Sequence, residues 1–147
     1  MLNGIDARVT PDLMDCMMRM GHGDELVVAD ANFPSTNHAA STLFGQVIEL
    51  PGFSASEAIS LITNLLPLDP FVDACALRME IDDEPETLGE VHREAFEIIE
   101  AAMPEGAATG SIERQDFYVR ASQAFGVVAT TEARPFGCFI LRKGVIF

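Results

Sequence analysis

The chain of 147 residues carries 23 acidic against nine basic side chains, a formal net charge of −14, and has a pI near 4.3. That balance excludes the phosphate backbone of nucleic acid and anionic membrane surfaces as partners. The length fits one domain, residues 1–147, large enough to bury a core. With 48% hydrophobic residues and a mean hydropathy of +0.20, the chain is apolar for its charge, and some apolar surface is expected to be shared between copies of itself.

Cys16, Cys75 and Cys138 are odd in number, widely spaced and without a C-x-x-C pair. Neither a disulfide framework nor a zinc knuckle is indicated, and a reducing compartment fits. Residues 1–6 hold neither a basic nor an apolar segment, and no apolar run approaches the ~18 residues of a membrane span. A soluble, cytoplasmic protein is expected.

Thr10-Pro11-Asp12 opens a helix with a hydroxyl cap, a proline at the first helical position and an acid near the positive end of the dipole. The helix runs to about Met20, and Gly21 is expected to stop it in the left-handed conformation. Residues 26–29, Leu-Val-Val-Ala, read as a strand buried on both faces. Asp30 follows at its carboxyl end, where ligands gather in open α/β sheets. The stretch Met20-Gly21-His22-Gly23-Asp24-Glu25 through Asp30-Ala31-Asn32-Phe33-Pro34 therefore reads as one polar pocket, and residues 35–45 as a loop able to cover it.

Residues 46–50 form a second strand. Ser54 and Glu57 make a capping box for a helix that Pro67 ends, and residues 74–79 are a third strand. Thr87 and Glu90 make a second capping box, opening a helix with Val91, Ala95, Phe96, Ile98 and Ile99 inward. A helix over 115–124 and strands over 125–130 and 138–142 complete the chain. The alternation predicts an α/β fold with a sheet covered by helices on both faces.

The G-x-G at Gly21 and Gly23 follows a helix and precedes a strand, the reverse of a dinucleotide fingerprint; P-loop, G-x-S-x-G and H-E-x-x-H motifs are missing. His22, in a turn between two glycines with Asp24 and Asp30 nearby, suits general acid–base work. A turn-stabilising histidine is an equal reading, and a His22, Asp24, Asp30 metal site a weaker one. His38 in the loop and His92 on the outward side of its helix read as surface residues. Phe117 and Tyr118 read as core, although a buried Tyr118 hydroxyl requires a partner.

Taken together, Met20-Gly21-His22-Gly23-Asp24-Glu25, Asp30-Ala31-Asn32-Phe33-Pro34, Leu65-Leu66-Pro67-Leu68-Asp69, Arg114 with Phe117-Tyr118-Val119-Arg120-Ala121, Ala124-Phe125, and Gly137 with Lys143-Gly144-Val145 resemble, in order, the fucose mutarotase and ribose pyranase family, fucose branch. The resemblance implies a three-layer α/β fold with a mixed β-sheet, the ribose pyranase-like fold. It also implies anomer interconversion of L-fucose or a similar monosaccharide with no cofactor and no metal. Self-association into a ring-shaped homo-oligomer, a decamer, with sites at subunit contacts, is implied as well. On it His22 transfers protons, Asp30 binds sugar hydroxyls and Arg114 contacts the sugar.

Where the family has Tyr-Gly-Asn or Tyr-Ala-Asn, this chain has Phe136-Gly137-Cys138, still expected to line the sugar but without a phenol and an amide. Each neutral hydrogen bond lost there costs about 1 kcal/mol. The competing readings are a monosaccharide-binding protein without turnover, and pyranose–furanose interconversion of the ribose pyranase type.

Overall fold

The computed structural model describes residues 2–147. Its elements in chain order are α1 (Pro11–Arg19), β1 (Glu25–Ala29), α2 (Ser35–Ala39), β2 (Val47–Leu50), α3 (Ala55–Thr63), β3 (Ala76–Met79), α4 (Glu90–Ala102), β4 (Thr109–Ile112), α5 (Arg114–Gln123), β5 (Gly126–Thr130) and β6 (Phe139–Arg142). The strands form one mixed sheet in the order β2-β5-β1-β6-β3-β4. β2, β5 and β1 run parallel, and so do β3 and β4, whereas β6 is antiparallel to both of its neighbours, β1 and β3. All strands except β6 therefore end on one edge of the sheet, where their loops converge.

Alternate strand residues feed two cores, as the period of a strand dictates. Leu26, Val28, Ile48, Val128, Phe139 and Leu141 pack with Leu13 and Cys16 of α1, Ile59 and Ile62 of α3, and Ala95 and Ile99 of α4. Val27, Val127, Leu77 and Ile140 pack on the other face with Phe117 and Ala121 of α5 and Ala39 of α2. The expected three layers are present, and 26–29 is buried on both faces.

Local chemistry explains the element starts. Thr10 Oγ1 accepts the Leu13 N–H at 3.2 Å, and the Ser54–Glu57 capping box is made in both directions, at 3.2 and 2.8 Å. Several expectations are corrected. Gly21 is not left-handed: Met20 ends α1 in extended conformation, and it is Gly23 that takes φ +86° to turn the chain into β1. The stretch 35–45 contains the short α2, and α3 stops at Thr63, before Pro67. β4 was not expected: a half-exposed edge strand of sequence Thr-Gly-Ser-Ile shows no apolar alternation. Thr87 does not cap α4. It lies in the preceding turn, its N–H on the Glu84 carbonyl, and Gly89 takes the cap position with its N–H donated 3.1 Å to His92 Nδ1. His92 is consequently buried under α4 rather than outward.

Candidate active site

At the carboxyl end of β1, Asp30 is only 5% exposed, and its carboxylate is fixed by backbone donors. Oδ1 accepts the Asn32 and Phe33 N–H groups, both at 3.0 Å, and Oδ2 accepts the Gly137 N–H at 3.1 Å. Three amides on one carboxylate hold it ready to accept a further donor from a ligand. A cup of about 160 Å³ opens beside it, lined by Asp30, Asn32, Phe33, Met79, Arg114, Tyr118, Pro135, Phe136 and Cys138.

Arg114 begins α5 and is clamped by Asp82, its Nε 2.9 and 3.0 Å from the two carboxylate oxygens. That carboxylate raises the guanidinium pKa further above its ordinary value. The guanidinium lies 5.7 Å from the centre of the Tyr118 ring, a cation–π distance. Cys138 is 1% exposed. Burial, reinforced by the Asp30 charge, pushes its thiol well above the usual range. It is neutral, and its Sγ accepts the Asp30 N–H at 3.4 Å.

The wall carrying Phe136 is built by Glu132, which is 4% exposed. Its carboxylate receives Arg134 Nε and Nη2, each at 2.8 Å, the Arg134 N–H at 3.0 Å and the Ala55 N–H at 3.2 Å. The Arg134 guanidinium is the largest influence lowering the Glu132 carboxyl to about 2, against the opposing effect of burial. Phe136 itself has φ +61°, a left-handed conformation costing a non-glycine residue roughly 1–2 kcal/mol.

At the other end of β1, Gly21 N–H donates 2.7 Å to Asp24 Oδ2 and Gly23 N–H donates 2.8 Å to the Lys143 carbonyl. This turn presents His22, whose side chain is 49% exposed, with Nε2 3.1 Å from Asp69 Oδ2. Asp69 is 1% exposed and accepts the Phe71 N–H at 3.0 Å. Burial by itself raises the Asp69 carboxyl, but the Phe71 N–H, His22 and Arg142 together hold it below its ordinary value. Ionised Asp69 requires the proton of neutral His22 on Nε2 and leaves Nδ1 as the base.

The segment carrying Asp69 is seated against the end of β6. Asp69 N–H donates 3.1 Å to the Arg142 carbonyl, and Gly144 N–H donates 2.8 Å to the Pro67 carbonyl. A Cβ on Gly144 would lie 2.5 Å from the Leu68 carbonyl oxygen, so this approach needs glycine. Arg142 Nε stands 3.3 Å from Asp69 Oδ2. Its Nη1 is 3.6 Å from Glu25, which also pairs with Arg120 at 2.5 Å.

Of the residues singled out in the sequence, the structure gathers Asp30, Arg114, Phe136 and Cys138 around the cup, with Gly137 contributing its amide to Asp30. His22 is not among them. The five residues of β1 separate His22 from Asp30 by about 16 Å at ~3.3 Å per residue, so the single pocket expected over 20–34 is two clusters at opposite sheet edges. The His22, Asp24, Asp30 combination is likewise not assembled within the chain.

His38 is half-buried rather than a surface residue, with Nδ1 2.6 Å from Ser122 Oγ. Its ring is 4.9 Å from that of Phe33 and 5.4 Å from that of Tyr118. Two further residues join the site: Tyr118, read from the sequence as core, and Asp69, which carried no role there beyond its place in the 65–69 segment. Tyr118, the only tyrosine, is four residues after Arg114 on α5 and so shares its face, a signal that was there to find. The pairing of Asp69 with His22 has no local signal, because the two are 47 positions apart.

A family model described as the RbsD / FucU transport protein family matches residues 3–146. The L-fucose mutarotase of Haemophilus influenzae (strain 86-028NP) is 38% identical over 145 residues, 99% of this chain and 97% of that protein. The human fucose mutarotase is 39% identical over 150 residues, 99% of this chain and 94% of that protein. The crystal structure of the fucose mutarotase from Streptococcus pneumoniae in complex with L-fucose superposes with a TM-score of 0.87 at 33% identity, covering 99% of this chain and 100% of that one.

Proposed function

The chain belongs to the RbsD / FucU transport protein family, and from that premise we propose that it is an isomerase, a mutarotase interconverting the α and β anomers of L-fucose or a similar monosaccharide. We assign this activity to one domain over residues 1–147 and to the cytoplasm, in keeping with three free, buried cysteines. The observation that carries the reading is the Asp30 cup: a carboxylate held by three amides beside the Arg114 guanidinium. That pairing of acceptor and donor suits neighbouring sugar hydroxyls.

Anomer exchange moves protons only. The anomeric hydroxyl loses a proton, the ring oxygen gains one, and the bond between that oxygen and the anomeric carbon breaks to give an open aldehyde. The carbonyl turns over and the ring closes on its other face with the reverse transfers. Asp30 binds sugar hydroxyls in the cup, Arg114 contacts a sugar oxygen, Phe136 and Cys138 line the remainder, and Gly137 serves the site through the amide that holds Asp30. In its protonated form His22 gives the Nδ1 proton to the ring oxygen as the ring opens and takes it back as the ring closes, with water or a carboxylate serving the anomeric hydroxyl. Gains of ~10²–10⁴ from such catalysis suffice for a reaction that already proceeds unaided.

His22 and Asp30 lie too far apart in one copy to serve the same sugar, so we assign the complete site to a contact between copies, His22 of one facing the cup of its neighbour. Exposed apolar side chains flank the His22 end. Phe71, 65% exposed, stacks edge-on at 6.1 Å from the His22 ring, and Leu43 and Val119 border the hollow beside Gly23. We propose a ring-shaped homo-oligomer, a decamer, as the assembly that covers them.

Saturation-transfer NMR on L-fucose, D-ribose and D-galactose in parallel tests the reading. Accelerated exchange of the fucose anomers is expected. Sugar binding without exchange would replace it with a binding protein in which Phe136 and Cys138 have removed turnover, and pyranose–furanose exchange of ribose alone would replace it with the pyranase reading.

A further inference from the structure

We propose that His92 is a positioning residue of the sugar cup, a role that rests on the mutarotase reading: it grips from behind the same peptide group that holds Asp30. His92 is fully buried under α4, on the far side of the 136–138 wall from the cup. Its Nε2 is 2.9 Å from the Phe136 carbonyl oxygen. That carbonyl and the Gly137 N–H belong to one planar peptide unit and point in opposite directions. The N–H donates 3.1 Å to Asp30 Oδ2. His92 on one side and Asp30 on the other therefore fix the plane of that peptide, and with it the direction of the Phe136 ring and the free face of the carboxylate.

The tautomer is set by the backbone. Gly89 N–H donates to Nδ1 at 3.1 Å, so Nδ1 carries no proton and Nε2–H is the donor to Phe136. Both ring nitrogens are used, and the ring is further held edge-on by Phe139 at 6.0 Å. Phe136 needs such a hold, because φ +61° is a conformation that a non-glycine residue keeps only when its surroundings impose it. His92 is fully buried and does not line the cup, so the ring acts through Phe136 and Asp30.

Three full-length variants test this. His92→Phe keeps the ring bulk and deletes both hydrogen bonds. His92→Gln keeps a donor and an acceptor. His92→Leu removes the ring and both hydrogen bonds with a side chain of similar volume. L-fucose affinity is read by NMR titration, anomer exchange by saturation transfer at saturating sugar, and the Gly137 amide by its shift and exchange rate without sugar.

His92→Phe is expected to weaken fucose binding about tenfold and to leave the exchange rate at saturation nearly unchanged, the signature of lost ground-state binding. It should also move the Gly137 amide and speed its exchange. His92→Gln restores all three readouts, and His92→Leu moves them in the same direction as His92→Phe. Unchanged affinity together with an unmoved Gly137 amide in His92→Phe, or in His92→Leu if His92→Phe does not fold, overturns the proposal. A wild-type protein that binds fucose without exchanging its anomers overturns the catalytic reading alone, since affinity and the Gly137 amide still report on the clamp.

Discussion

His22 and Asp69 meet across 47 positions of sequence, imidazole Nε2 3.1 Å from a carboxylate that is almost wholly buried. Among the described residues nothing bonds to Nδ1, so the pair presents one fixed lone pair toward solvent. Replacing His22 with Ala is expected to cost at least about 10²-fold in anomer exchange. The ring is half-exposed, so the thermal midpoint should barely move. An unchanged exchange rate by saturation-transfer NMR removes His22 from the chemistry.

Asp69→Asn leaves the shape and reverses the tautomer, because the new amide offers an N–H to Nε2 and sends the ring proton to Nδ1. Losses of about 10–100-fold are usual for such orienting partners. The tautomer is read independently by long-range proton–nitrogen correlation of the His22 ring. A ring that keeps its proton on Nε2 in this variant contradicts the assignment.

If each site takes His22 and Asp30 from different copies, two inactive variants complement each other. His22→Ala and Asp30→Ala, unfolded and refolded together at equal amounts, should regain about a quarter of the wild-type sites by random assembly, while either alone stays inactive. Mixtures that never regain activity, although mass analysis shows mixed oligomers, would place both residues in one copy's site.

Acid should destabilise the fold in two stages. Burial, with Arg78 and Arg93 nearby, lowers the pKa of His92 against a smaller opposing effect of the Phe136 carbonyl. The unfolded chain therefore takes up this proton first, and stability falls as pH drops below about 6.5. Glu132 is depressed to about 2. Its contribution, on the order of 3 kcal/mol, is complete above the unfolded carboxylate range near pH 4.5 and is lost as pH falls toward 2. Urea midpoints across pH 7 to 3 check both stages, and Glu132→Gln should flatten the second.

Gly144→Ala drives a methyl group into the Leu68 carbonyl and should cost about 1–3 kcal/mol. Because Gly144 seats the segment that carries Asp69, exchange activity should fall along with the thermal midpoint. A thermal loss with full activity would show that the seat of Asp69 is set elsewhere.

What could be read from the sequence was whatever neighbouring residues decide. The Thr10 and Ser54 caps are local, and so is the apolar run of β1 stopping at a carboxylate, which located the cup at the sheet edge. His92 was misread because helical spacing does not reveal a carbonyl 44 residues away that makes burial of an imidazole favourable. The pocket expected over 20–34 divides in two because an extended strand is the conformation that moves two residues furthest apart. The edge strand β4, half-exposed and rich in small residues, carries too little pattern to be recognised.

β6 is the one strand laid against the grain of the sheet. It starts beside the Gly137 amide that holds Asp30 and finishes at Arg142, which faces Asp69. Four residues of packed backbone thus act as a ruler between the imidazole and the cup. In the proposed assembly, the length of one strand makes catalysis a property of neighbours.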